Sequence, residues 1–104
     1  MGENIGDLGG ITIGLKAYEI SLEGQEAPVV GDLTGTQRVF MNYAHVWRTK
    51  RRKEQMLQLI TTDPHSPDEF RANIVRNLEE FHQAFGTAPG DGLWLDPEDR
   101  VRIR

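Results

Sequence analysis

There is no cysteine in the 104 residues. That excludes a disulfide framework, a thiolate metal site and a cysteine nucleophile. No run of about 18 apolar residues exists either, so no segment reads as a membrane-spanning helix. The opening stretch from Met1 to Gly10 carries two acids and no basic residue, unlike a secretory signal. Internal repeats, low-complexity segments, a nucleophile elbow and a phosphate-binding glycine loop are all missing. Apolar residues are scarce at 38%, on the low side for a core that must stand alone. Charged residues reach an ordinary 27%, which argues against wholesale disorder. A chain of this length is one small domain or a piece of a larger one.

What is present is unevenly distributed. The net charge of −4 conceals an acidic first segment, a basic middle and an acidic end. Residues 1–37 hold six acids and one Lys, residues 38–53 hold six cations and no acid, and residues 54–104 hold ten acids and five Arg. The acidic total argues against a general nucleic-acid binder, so the basic block needs its own account.

Apolar spacing gives a mainly α class. Ile5, Leu8, Ile11, Leu15, Tyr18 and Leu22 recur at three and four, which predicts a helix over about 3–23. Ile13, Ala17 and Ile20 add a second stripe, and a helix apolar on two faces is wedged between neighbours. Gly24 and Pro28 mark a loop. Thr34-Gly35-Thr36-Gln37 fits a capping box opening a helix to about Lys50, with Phe40, Tyr43, Ala44 and Trp47 on its apolar face. A third helix is predicted over Lys53–Ile60, burying Met56, Leu59 and Ile60. Asp63-Pro64-His65-Ser66-Pro67 cannot be helical throughout. Residues 71–76 are ambiguous. Asn77-Leu78-Glu79-Glu80 reads as a second capping box, opening a helix that Gly86 ends. Pro89 to Gly92 is a turn, and Val101 and Ile103 alternating with Arg suggest a short terminal edge strand.

Few residues offer chemistry. Glu3 and Asp7 lie four apart on the first helix, about 6 Å from one another on one face. Such a pair suits a metal ligand and its orienting partner; it equally suits solvated acids favoured at a helix start. His65, between two prolines, is either an aimed imidazole or a surface loop residue. Arg71 is either a carboxylate or carbonyl partner or a surface cation. His45 and His82 read as structural or exposed. The block from Arg48 to Lys53 is a phosphate-binding patch, a favourable helix end or a solvated junction.

In combination these pieces are more specific. GENIGDLGG at 2–10, KAY in the first helix, VW at 46–47 and TDPHSPDEFR at 62–71 resemble the C-terminal segment of the neprilysin and endothelin-converting-enzyme family of zinc metallopeptidases. The resemblance covers essentially the whole chain. It implies the helical C-terminal part of a thermolysin-like (gluzincin) catalytic domain, with residues 1–104 as a single fragment beginning just before the third zinc ligand. By the resemblance, Glu3 is that zinc ligand and Asp7 the carboxylate that orients a zinc-binding His. His65 stabilises the oxyanion, Arg71 binds the substrate's amide carbonyl, and Val46 and Trp47 border an apolar pocket next to the scissile bond. The implied reaction is peptide-bond hydrolysis by zinc-activated water, with peptides as substrates and one zinc ion as cofactor.

The family's HExxH helix, which carries two zinc ligands and the general base, has no counterpart in this sequence. The resemblance therefore implies that the rest of the catalytic domain is a partner. It also implies that this chain alone is inactive, binds zinc weakly or not at all, and self-associates through an exposed apolar groove. The missing cysteines, which vertebrate members carry here, point to a bacterial relative. The compartment is set by upstream segments. The other class of reading is a stand-alone helical interaction module with a basic patch and no catalysis.

Overall fold

The computed structural model describes residues 2–63 and 65–103. The expectations for Pro64 and for the Arg104 end lie outside the described residues. Five helices follow in order: α1 Gly2–Ser21, α2 Gly35–Val46, α3 Lys53–Thr62, α4 Asp68–Ala72 and α5 Glu79–Phe85. Two short 3-10 turns, Asn73–Asn77 and Pro97–Asp99, complete the regular structure. The chain is mainly α, as its periodicity predicts.

One apolar stripe of α1 does the packing. Leu8, Ile11 and Leu15, spaced at three and four, enter a core with Phe40 of α2, Ile74 and Val75 of the 3-10 turn, and Leu78 and Phe81 at α5. Phe40, Phe81 and Phe85 meet at ring separations of 5.2 to 6.3 Å, within the range of favourable aromatic pairs. The second stripe is not covered: Ile13 and Ile20 are exposed, as is Ile5. The radius of gyration, 15.2 Å, exceeds the roughly 13 Å of a compact domain this long. The surplus fits apolar faces, such as that of Ile13 and Ile20, that find no partner among the described residues.

The capping box at α2 forms as the sequence predicts. The Thr34 hydroxyl accepts from the Gln37 N–H at 3.1 Å, and the Gln37 carbonyl oxygen accepts from the Thr34 N–H at 2.9 Å. Gln37 also donates to the Ala84 carbonyl at 2.7 Å, fastening the start of α2 to the end of α5. Gly86 ends α5 in the left-handed region, at φ 61°, where a side chain would be strained.

Four expectations are corrected. The second helix stops at Val46 rather than near Lys50. Thr49 and Arg51 turn to Asp68, at 2.6 and 3.3 Å, and draw the chain off the helix axis. Met56, Leu59 and Ile60 are not core residues: the first and last are exposed and Leu59 is half-buried, because no other helix packs extensively on α3. Asn77 does not cap α5; its side chain donates to the Ile74 carbonyl and accepts from the Val101 N–H. That second bond also removes the expected terminal strand. Val101 spends its N–H on a side chain, and residues 101–103 have no regular structure.

Candidate functional site

The first two turns of α1 face His65 and Arg71, and four of the predicted site residues, Glu3, Asp7, His65 and Arg71, meet there. Asp7 and Arg71 form a two-pronged ion pair. The Arg71 Nε and Nη2 groups donate to separate Asp7 oxygens, each at 2.7 Å. Their side chains are only 13% and 16% exposed. Fork-on-carboxylate geometry fixes orientation as well as distance. The Asp7 bonds push the Arg71 guanidinium further up from its already high value.

Arg71 is held on two further sides. Its guanidinium lies 4.1 Å from the centre of the Trp47 ring, a cation–π contact. Its backbone carbonyl accepts from the Tyr43 hydroxyl at 2.9 Å. Burial, and then the Asp7 charge, push Tyr43 up to about 12, so the hydroxyl keeps its proton and remains a donor. Tyr43, in the last turn of α2, and Trp47, the residue that caps it, lie four apart and pack ring to ring at 6.1 Å beside Arg71.

His65 is aimed by its neighbour. The Asp63 carboxylate accepts from the His65 N–H at 2.9 Å and lies 2.7 Å from Nδ1. This is an Asx-type turn, and the two bonds to His65 pull the Asp63 carboxyl below its ordinary value. The opposite ring nitrogen, Nε2, stands 3.4 Å from Glu3. Glu3 itself is 51% exposed, a carboxylate with lone pairs open to an incoming group. Asp7, four residues on, is tied down. One helix pitch thus gives two acids of different availability.

An open cavity of about 430 Å³ adjoins this group. Trp47, Arg71 and His65 line it together with Met56, Leu59 and Ile60 of α3. Val46 is brought to neither: it is 70% exposed and does not line the cavity. His45 is exposed. His82 is buried and structural, bonded to Thr87 and to the Arg76 carbonyl. Among the described residues no three His, Cys, Asp or Glu side chains are grouped to hold a metal.

Two residues to which the sequence reading gives no role at the site matter here. Asp63 orients His65, and the Asp-Pro-His run carries the signal for it, since Asp side chains bond two residues ahead. Tyr43 anchors Arg71, and no local pattern reveals a bond to a residue 28 positions away.

Comparison with known proteins identifies relatives of this chain. The profile of peptidase family M13 matches residues 1–101. The neutral endopeptidase of Lactobacillus helveticus is 36% identical over 104 residues, covering 99% of this chain and 14% of that protein. Neprilysin-1 of Caenorhabditis elegans is 44% identical over 98 residues, with 88% and 13% covered. Human neprilysin is 36% identical over 107 residues, with 99% and 14% covered. The chain spans about one seventh of the length of these relatives. Among solved structures, the cryo-EM structure of Mycobacterium tuberculosis zinc metalloprotease ZMP1 in its open state matches with a TM-score of 0.95 and 55% identity, over 98% of this chain and 16% of that one. The crystal structure of the same protease with an inhibitor gives the same values.

Proposed function

The chain belongs to peptidase family M13, and on that premise we propose that it supplies the substrate-side part of a zinc metalloendopeptidase's catalytic centre. The observation that carries this is the convergence of Glu3, Asp7, His65 and Arg71 from two segments more than fifty residues apart in sequence. No core packing requires all four polar side chains at one place.

Each residue takes a role that its surroundings suit. Glu3 is the zinc ligand from this chain: a half-exposed carboxylate oxygen is a fitting donor. One ligand does not hold a catalytic zinc, so the remaining protein ligands come from residues outside these 104. The chemistry that zinc supplies when bound is polarisation of the peptide carbonyl and activation of water. Asp7 holds Arg71 with one lone pair of each oxygen and has others left to accept an imidazole N–H from a zinc-binding His. When both His65 nitrogens carry protons, Nδ1–H is held by Asp63 and Nε2–H is the donor left for an oxyanion on the Glu3 side. Arg71, gripped by Asp7, Trp47 and Tyr43, presents its remaining N–H groups to a substrate carbonyl. Trp47 forms an apolar wall beside them. The exposed face of Ile5, Ile13 and Ile20 lies against the rest of the catalytic domain, and in the isolated chain it drives self-association.

The test is mutagenesis in the complete enzyme carrying this segment. Glu3→Gln is expected to lose zinc and activity together. His65→Phe is expected to keep zinc while turnover falls about 100- to 1000-fold. Retention of both zinc and activity by the Glu3 variant overturns the assignment. So does tight zinc binding by the 104-residue chain alone that Glu3→Ala abolishes, since one ligand is all this chain is assigned.

A further inference from the structure

We propose that the cavity beside Trp47 ends in a cationic rim, with Arg48 in its lining and Lys50 just outside it, that selects peptides with acidic side chains just beyond the bond to be cut. This rests on the peptidase reading and adds a substrate class to it. Arg48 and Arg51 line the same cavity as Trp47, His65 and Arg71. Lys50, Arg52 and Lys53 follow in the chain and are exposed, Lys50 and Arg52 lining a neighbouring depression with Glu54.

The rim is held in place. Thr49 donates to Asp68 at 2.6 Å and Arg51 to the same oxygen at 3.3 Å, so the connection between α2 and α3 is pinned to the start of α4. Trp47 stacks on Arg71 at 4.1 Å, and Arg48 is the next residue, about 3.8 Å along the chain. An extended peptide advances about 3.3 Å per residue. For a peptide running from Arg71 past Trp47 toward Arg48, the second or third side chain after the bound carbonyl falls at the rim.

The charges already present do not cancel it. Of the acids lining the cavity, Asp63 is taken by His65 and Asp68 by Thr49 and Arg51, which leaves Glu69. Arg71 is answered by Asp7. Among the described residues, Arg48, Lys50, Arg52 and Lys53 reach no carboxylate within ion-pair distance. Glu54 shares the neighbouring depression with Lys50 and Arg52, and residues 48–54 hold five cations against this one acid. A nucleic acid is the less suitable occupant. The cations edge a cavity with an apolar wall of Met56, Leu59 and Ile60 instead of spreading over a face, and both flanking segments are acidic.

The experiment compares three peptides that differ only in the second and third residues past the cleaved bond: Glu, Gln or Lys. In the complete enzyme, kcat/KM is expected to fall in that order, by about five-fold per step, as partly exposed pairs allow. The spread should narrow as salt rises from about 0.05 to about 0.5 M. The double variant Arg48→Glu with Lys50→Glu should invert the Glu-to-Lys ratio, and Arg48→Gln with Lys50→Gln should abolish it. The ratio is the readout, so a general loss of activity does not imitate the result. Equal kcat/KM for all three peptides, or a ratio untouched by the reversal, overturns the inference. So does a short DNA duplex or an anionic vesicle that binds the rim at about 0.15 M salt while the peptides show no charge preference. If the wild-type enzyme cleaves none of the three, the peptidase reading falls first and takes this one with it.

Discussion

Replacing Asp7 by Asn tests the central contact with almost no change of shape. The pair consists of two charge-assisted bonds of 2.7 Å between side chains 13% and 16% exposed. A net contribution of about 1.5–3 kcal/mol is ordinary for a bond to an ionised group. Asn keeps one acceptor but turns an NH₂ toward the guanidinium, so one bond is lost and a repulsive contact replaces it. A wholly buried charge stripped of its partner costs about 3–5 kcal/mol. Arg71 stays below that, because its edge reaches water and the Trp47 stack remains. The expected loss is therefore about 2–3 kcal/mol, or a fall of about 10 °C in melting temperature for a domain of this size. Circular dichroism melts of the 104-residue chain measure it. The loss should barely change between about 0.05 and 0.5 M salt, since buried pairs are weakly screened. Asp7→Leu combined with Arg71→Met should recover most of it. A loss below about 0.5 kcal/mol, the level of an exposed pair, refutes the reasoning.

Three further outcomes follow from the same geometry. Tyr43→Phe should cost about 1 kcal/mol through the bond to Arg71. Because the folded value of about 12 lies above the ordinary 10.0, the tyrosine's contribution is whole below about pH 10 and fades as pH rises toward 12; one ultraviolet transition near pH 10 for both tyrosines contradicts this. The Asp63 carboxyl should titrate by carbon NMR below its ordinary 3.8, so the His65 turn persists above that pH and loosens as pH falls through the depressed value; a midpoint at or above 3.8 refutes the contact. Ile13→Ser with Ile20→Ser should cost less than about 1 kcal/mol, because exposed positions contribute little, and sedimentation should show weaker self-association; a loss of several kcal/mol means that the face is covered.

The parts of the fold legible in the sequence are those whose signal is local. The α1 periodicity, the Thr34 capping box and the Gly86 stop each depend on residues within a turn or two, and each forms. The failures are long-range. Nothing near Thr49 announces that Asp68, 19 residues on, will end α2 early. Nothing near Asn77 announces that Val101 will claim its side chain. The apolar residues of α3 look like core residues by spacing, but burial needs a neighbour, and the sequence pattern does not supply one. At the site, spacing places Glu3 and Asp7 on one face but leaves their roles open.

Position on a shared face and availability for chemistry are separate properties, and the second is set by what arrives from elsewhere in the chain. Arg71 meets the second turn of α1 and not the first, so Asp7 is closed off by two short bonds while Glu3, one pitch earlier, keeps its lone pairs. His65 stands beside Glu3. Asp63 takes one ring nitrogen and leaves the other on the Glu3 side. A loop displaced by one helical turn toward the N-terminus would pair Arg71 with Glu3 and free Asp7, reversing the assignment without altering a residue. The function of the acid pair is thus decided by the register of the Asp63–Arg71 segment against α1. The three-sided grip of Asp7, Trp47 and Tyr43 on Arg71 is the physical device that fixes that register.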